Sequence, residues 1–504
     1  MMRAATTLAL ALLAGACSGP EGESDSPAVQ QTVPDEPVAR REARAPAQPV
    51  EVVPDLRLRL DPGAHRVDGE IEIDVPRPAG IHLLFRAEWD GYPGLESRLK
   101  KLEAWGPSGS IDVALNAGEL GAGHHIVDVV TPERVTIAYQ MVLDPPGQAQ
   151  LYHRASQLAD DGGHLLGSDV LPRVWLDRPR GGAQPARIWF TGLPSSWRVA
   201  SIERRSGTGY EIEDILYSVF IVGPLRSQRL NVGPHTLTAA VHGRWPVEDR
   251  RVMDATNRIA GSLHRIADDG WAAGEYILGA GRVPAGVPGL TTGGQVIGNA
   301  GIVYVGGAGP AEFEFQHWMY TTAHELTHWY IPIGFRFDGQ APRWFAEGFT
   351  DYLALKILLA GGLIDGQTFL NEVAARLTRY RGSGHYNSRS IVDAEKDFWE
   401  DETYRYIYDG GASAAFLLDL GFQDRGRALE QAIKAARRSA PVTTEVLRSA
   451  LASVPENAWI DAWLASGANP DWDARLERYK LVWQDNTLVS LNDWATDALA
   501  TIRP

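Results

Sequence analysis

At 504 residues the chain is too long for a single hydrophobic core, and two or three domains are expected. With 44% hydrophobic and 22% charged residues it has the composition of a soluble globular protein, and 16 tryptophans supply bulk for cores and substrate walls. A formal net charge of -15 argues against nucleic acid as a partner, because binding phosphates requires a positive surface.

Residues 1–16 read as a targeting segment. Arg3 supplies a positive start, and residues 8–16 form an apolar stretch too short to span a bilayer as a helix. Cys17, the only cysteine, follows Leu13-Ala14-Gly15-Ala16. This resembles a bacterial lipoprotein signal, in which the cysteine is acylated and begins the mature chain, although Ala14 stands where the usual motif has Leu. The alternative is an ordinary secretory peptide. Cys17 has no partner for a disulfide within the chain, which favours lipidation. Ser18 resembles the following residue of lipoproteins sorted to an outer membrane. The expected location is therefore the cell envelope, held by a lipid on Cys17 and facing the periplasm, with a secreted or periplasmic chain as the alternative. Residues 17–50, rich in Pro, Glu, Ser and Ala, cannot bury enough apolar surface to offset their ordering entropy and are expected to be a tether.

Residues 51–245 carry strand periodicity. Leu56, Leu58 and Leu60 alternate with Arg57, Arg59 and Asp61, and Val67, Ile71, Ile73 and Val75 continue the period of two. Apolar runs at 81–85, 126–130, 135–142, 188–190 and 217–222 suggest a sandwich. His124-His125 falls in a Gly-rich turn and is expected to be solvated. Near Pro246 the period changes: Val252, Ala255, Ile259, Leu263 and Ile266 lie on one helical face. Strand-like runs return at 275–278 and 301–305. Helices are expected at 314–330, 342–360, 366–379, 410–420, 426–438 and 443–452, the later amphipathic ones packing a core.

The chemistry is concentrated in Thr322-Ala323-His324-Glu325-Leu326-Thr327-His328-Trp329. On a helix, His324 and His328 are one turn apart on the same face, where both can ligate one zinc ion at about 2.0–2.1 Å. Glu325 is displaced around the helix and is placed to act as general base toward an attacking water. A second helix reads Pro342-Arg343-Trp344-Phe345-Ala346-Glu347-Gly348-Phe349-Thr350-Asp351-Tyr352. Residues 329–346 leave room for a turn and an antiparallel return, so that Glu347 completes a two-histidine, one-glutamate site with an open position. Asp351, four residues on, can accept the other ring N–H of a ligating histidine, His324. His317 lies seven residues before His324 and is expected to be a core or surface histidine rather than a fourth ligand.

The pattern HELTH, eighteen residues, then WFAEGFTDY resembles the gluzincin peptidases, which include thermolysin, aminopeptidase N and the glycyl aminopeptidase family. The strings GFTDYLALKILLAGGLID (348–365) and YDGGASAAFLLD (408–419) are most similar to the glycyl aminopeptidases. The resemblance implies an α+β, multidomain fold: an N-terminal β-sandwich-like domain (51–245), a thermolysin-like zinc catalytic subdomain (246–360) and a C-terminal helical bundle (361–504). It also implies one Zn2+, a peptide or protein substrate, and a tyrosine donating to the oxyanion. Tyr408 holds that tyrosine's position, with Gly410 where the family has lysine and with Tyr404 and Tyr406 as rivals. About forty residues follow Gly467, too few for the PDZ module with which the family often ends.

The informative departure lies at Gly293-Gly294-Gln295-Val296-Ile297-Gly298-Asn299-Ala300-Gly301-Ile302-Val303-Tyr304. Exopeptidases of this group carry a glutamate there that binds the substrate's free amine; here Val296 stands near that place. Gly293, Gly294, Gly301 and Val303 are the expected substrate-binding positions, with 301–305 as an edge strand that pairs with extended substrate. The sequence thus reads as a membrane-anchored zinc metallopeptidase. The alternative is a catalytically silent peptide-binding or assembly lipoprotein on a peptidase scaffold. Endo- and aminopeptidase action are both left open.

Overall fold

The structure, a computed structural model, describes residues 53–89, 92–116, 120–143, 154–245, 247–283, 292–306, 310–484 and 487–490. Cys17 and the expected tether lie outside them, and no described helix is long and apolar enough to cross a membrane.

The alternating leucines form the strand Asp55–Asp61, which pairs antiparallel with Arg66–Val75 and parallel with Ala186–Thr191 inside an eight-stranded sheet. Leu56, Leu58 and Leu60 point into the core while Arg57 and Arg59 face solvent, as a period of two requires. A four-stranded sheet built on Ala79–Leu84 and His124–Val129 adds Ile81, Leu83, Val127 and Val129 to the same core. His124 is a correction. It opens a strand rather than sitting in a solvated turn, is 3% exposed, and its Nε2 lies 3.0 Å from His82 Nδ1. The neighbouring glycines mask a strand start that the apolar run 126–130 marks only partly.

A second four-stranded sheet joins the β-domain to the catalytic region. In its strand Val219–Gly223, Phe220 and Val222 belong to the β-domain core. Val219 and Ile221 face the other way, against Ile277, Ile302 and Tyr304.

The catalytic region is built on a five-stranded sheet in the order Arg226–Val232, His235–Val241, Glu275–Arg282, Ala300–Val305, Thr292–Ile297. Its first two strands precede residue 246, so the expected boundary falls inside this unit: strand periodicity cannot say which sheet a strand joins. The helix Asp249–Ala267 makes the crossover between the parallel strands His235–Val241 and Glu275–Arg282. The apolar run 301–305 is an internal strand, with Thr292–Ile297 at the edge. Gly293 and Gly294 weaken the strand pattern at 292–297, so the sequence pattern points to the wrong neighbour as the edge.

Helices Ala311–His328, Thr350–Ala360, Gly366–Gly382 and Asp401–Gln423 complete this core, with Trp318, Trp344, Phe345, Phe349 and Trp463 among its buried side chains. Helix Asp401–Gln423 begins well before the expected 410. Gly410 and Gly411 look like a break, since glycine costs a helix about 0.5–1 kcal/mol relative to alanine. Close packing explains them. A Cβ on Gly411 would lie 2.3 Å from the Trp344 carbonyl oxygen, and one on Gly410 would lie 2.6 Å from the Tyr380 ring. A side chain at 410 has no space. Gly348 faces this contact, 2.5 Å from the Gly411 Cα by the same measure.

Candidate metal centre

His324 and His328 occupy the last turns of Ala311–His328, and Glu347 sits in a π-helical turn, Trp344–Phe349, that leads into Thr350–Ala360. Such a turn widens the helix by one residue and re-aims a side chain, and it is frequent at functional sites. The glycine contact between Gly348 and Gly411 then brings Asp401–Gln423 close enough for Tyr408 to donate to Glu347 Oε2 at 2.6 Å.

The donor atoms converge. His324 Nε2 and His328 Nε2 are 3.1 Å apart, and Glu347 Oε2 lies 3.5 and 3.6 Å from them. Tetrahedral zinc with bonds of about 2.0–2.1 Å requires donors about 3.3 Å apart, so the face fits the ion. The tautomers agree with this. His328 Nδ1 donates to the Ile331 carbonyl at 2.9 Å, and His324 Nδ1 faces Asp351 Oδ1 at 3.5 Å. Both acceptors hold the proton on Nδ1, which turns the two Nε2 lone pairs toward each other. Lone pairs at that separation repel unless a cation lies between them. Burial opposes charge on His324, but Asp351 and Glu347 outweigh it and raise its pKa to about 10. Burial lowers His328 to about 4, which leaves it neutral as a ligand must be. Burial works against the Glu347 carboxylate too, yet His328 and His324 hold it at about 2.

Asp351 is fixed from behind by Arg376 Nε at 2.5 Å, and Arg376 Nη1 holds Glu372 at 2.8 Å. This chain of charges sets the orientation of His324. Glu325 is 5% exposed, and burial pushes its carboxyl up to about 7. Gly294 packs directly on it: a Cβ there would lie 2.5 Å from Glu325 Cγ and 2.7 Å from Oε1. Glycine is needed at 294 for this close approach.

These groups line a cleft of about 470 Å³ between the β-domain and the helices. Gly293, Gly294 and Val296 line it from the edge strand. Gly301 and Val303 do not; they are buried in the neighbouring strand, Val303 opposite Gly294. Of the rival tyrosines, Tyr406 is buried and donates to the Arg389 carbonyl at 2.8 Å, outside the cleft. Tyr404 lines the cleft with its ring 4.4 Å from that of Tyr408, and Tyr408 donates to Glu347. His317 is a core residue, 1% exposed, with Nδ1 donating to the Phe313 carbonyl.

Residues 317–413 match the family model of the M61 glycyl aminopeptidases. The resemblance read from the sequence is borne out over this segment. Among solved structures the chain is similar to an aminopeptidase N family protein from Idiomarina loihiensis, at 15% identity and a TM-score of 0.70 over 86% of this chain and 79% of that one. That identity makes it a likeness of fold, and the fold is α+β and multidomain with a helical C-terminal region. An M1 zinc metallopeptidase from Deinococcus radiodurans is similar at 16% identity and a TM-score of 0.48, over 84% of this chain and 96% of that one. No curated protein matches the chain.

Several lining residues have no signal in the sequence pattern. Trp89 and Arg154 come from the β-domain, with Trp89 Nε1 donating to Gln295 Oε1 at 3.4 Å; nothing local announces them. Arg376 and Arg379, by contrast, stand one turn apart on a helix, Gly366–Gly382, where Arg376 is buried beside Glu372.

Proposed function

We propose that the chain is a zinc metallopeptidase that hydrolyses peptide bonds with Glu325 as general base. The convergence of His324, His328 and Glu347, with mutual donor distances of 3.1, 3.5 and 3.6 Å, carries this reading. When bound there, zinc would polarise the scissile carbonyl and lower the pKa of an attacking water toward neutrality. The chain's own residues do the rest. The edge strand Thr292–Ile297 offers unpaired backbone to an extended peptide, and Gly294 lets that backbone approach Glu325. Glu325 takes a proton from the attacking water and delivers it to the leaving amine, a role suited to a carboxyl poised near 7. Tyr408 turns its hydroxyl from Glu347 to the developing oxyanion. Asp351 and Arg376 keep His324 in its ligating tautomer.

We also propose that the folded part is held at a bacterial envelope by lipid on Cys17, a reading supported by the sequence alone. A chelator-sensitive cleavage screen on a mixed peptide library tests the enzymatic reading. Glu325→Gln should retain zinc and lose at least about 10³-fold in kcat. A wild-type rate in that variant refutes the assigned base, and a zinc-loaded wild-type chain that cuts nothing favours the silent binding protein.

A further inference from the structure

The edge strand Thr292–Ile297 runs along helix Ala311–His328 in step with its turns. Thr292 Oγ1 meets Thr321 Oγ1, and a Cβ on Gly294 would lie 2.5 Å from Glu325 Cγ. Val296 Cγ2 and the Trp329 ring both come within 4 Å of a Cβ built on Gly301. Two strand residues advance about 6.7 Å and four helical residues about 6 Å, so strand and helix keep register over this span. A substrate strand that pairs outside Thr292–Ile297 inherits that register. Every second side chain of it faces the helix, one at the level of Gly294 and Glu325, the next at the level of Val296 and the helix end.

These two levels differ in chemistry. His324 is backed by Asp351 and, through it, by Arg376. His328 is backed by the Ile331 carbonyl, and Pro332 and Ile333 follow as lining of the cleft. The segment is pinned in place. The Ile331 carbonyl also accepts from Thr350 Oγ1 at 3.2 Å, and the Ile333 N–H donates to the His328 carbonyl at 3.2 Å. Ile333 is nevertheless 47% exposed, a branched apolar side chain held open beside a candidate ligand. A single exposed apolar residue is ordinary, but Val296, Pro332 and Ile333 line one cleft from two fixed elements.

We propose that Val296, Pro332 and Ile333 form an apolar subsite for the substrate residue that pairs opposite Val296 and faces the helix, and that the subsite selects a Leu-sized or aromatic side chain. Such a side chain and Ile333 remove each other's apolar surface from water. A polar side chain would give up hydrogen bonds to water and find no partner among these three side chains. A substrate added antiparallel to the edge strand puts this residue on the amino side of the scissile bond, and one added parallel puts it on the carboxyl side. The proposal deepens the peptidase reading above and rests on it.

The test uses the zinc-loaded full chain and a peptide that it cuts in a mixed library. Leu and Ser are compared at each position within three residues of the cut, one position at a time. At one position Leu should raise kcat/KM at least about tenfold over Ser, which also fixes the direction of the substrate. Ile333→Lys, a change at an exposed side chain, should bring that ratio below about threefold and raise the Glu-to-Leu ratio at the same position at least about tenfold. A merely structural role for Ile333 would not turn the preference toward Glu. Val296→Thr keeps the shape, adds a hydroxyl, and should lower the Leu-to-Ser ratio at that position at least about threefold. Equal Leu and Ser rates at every position of a cleaved peptide, or a Leu preference that survives both variants, overturns the proposal and leaves the peptidase reading standing. Cleavage of no peptide in the library overturns both.

Discussion

Gly294→Ala separates catalysis from folding and metal binding more cleanly than any change to a ligand. Its Cβ would lie 2.5 Å from Glu325 Cγ and 2.7 Å from Oε1, whereas ordinary contacts begin at 3.4 Å. The atoms in the way belong to a flexible side chain, so Glu325 moves by about 0.7–0.9 Å and the strand stays. A displacement of about 1 Å in a reacting group costs on the order of 10²-fold, or about 2.7 kcal/mol of barrier. The stability change should be small, because the loss of chain entropy that favours alanine over glycine opposes the local crowding. Steady-state kinetics on a cleaved peptide, zinc content and thermal melting measure the three quantities separately. The expected result is kcat/KM down about 10²-fold with one zinc per chain and an unchanged Tm. Wild-type kcat/KM would refute the packing of Gly294 on the base, and loss of zinc would refute the confinement of its effect to Glu325.

Tyr408→Phe removes the hydroxyl that donates to Glu347; kcat should fall about 10²–10³-fold with little change in KM, and a loss under threefold would move the oxyanion donor to Tyr404. Gly348→Ala sets a Cβ 2.5 Å from the Gly411 Cα, where backbone on both sides cannot yield locally, so chemical denaturation should show about 1–3 kcal/mol of lost stability. An undiminished stability there would contradict the close helix contact that delivers Tyr408 to the metal centre.

The candidate metal centre is legible in the sequence because each of its parts obeys a local rule. Imidazoles four residues apart on a helix share a face, and a carboxylate on an antiparallel return meets them; His324, His328, Glu347 and Asp351 all stand where that geometry predicts. The strands of the β-domain are legible from the alternation at Leu56, Leu58 and Leu60. What the sequence hides is set by tertiary packing. Thr292–Ile297 is a strand whose glycines serve its neighbour Glu325, so its own periodicity is poor and the buried run beside it looks like the edge. Gly410 and Gly411 resemble a helix break because their contacts, Tyr380 and Trp344, are distant in sequence. His124 reads as a turn residue because its partner His82 belongs to another strand. The arginines of the cleft come from three separate segments, and only the fold shows that they line one cleft.

Anomalous diffraction at the zinc edge, on crystals of the purified chain, most directly probes the shared coordination by His324, His328 and Glu347. A single strong peak should lie about 2.0–2.1 Å from both imidazole Nε2 atoms and within about 2.2 Å of a Glu347 carboxylate oxygen. A peak elsewhere, or none in protein that carries stoichiometric zinc, would contradict it.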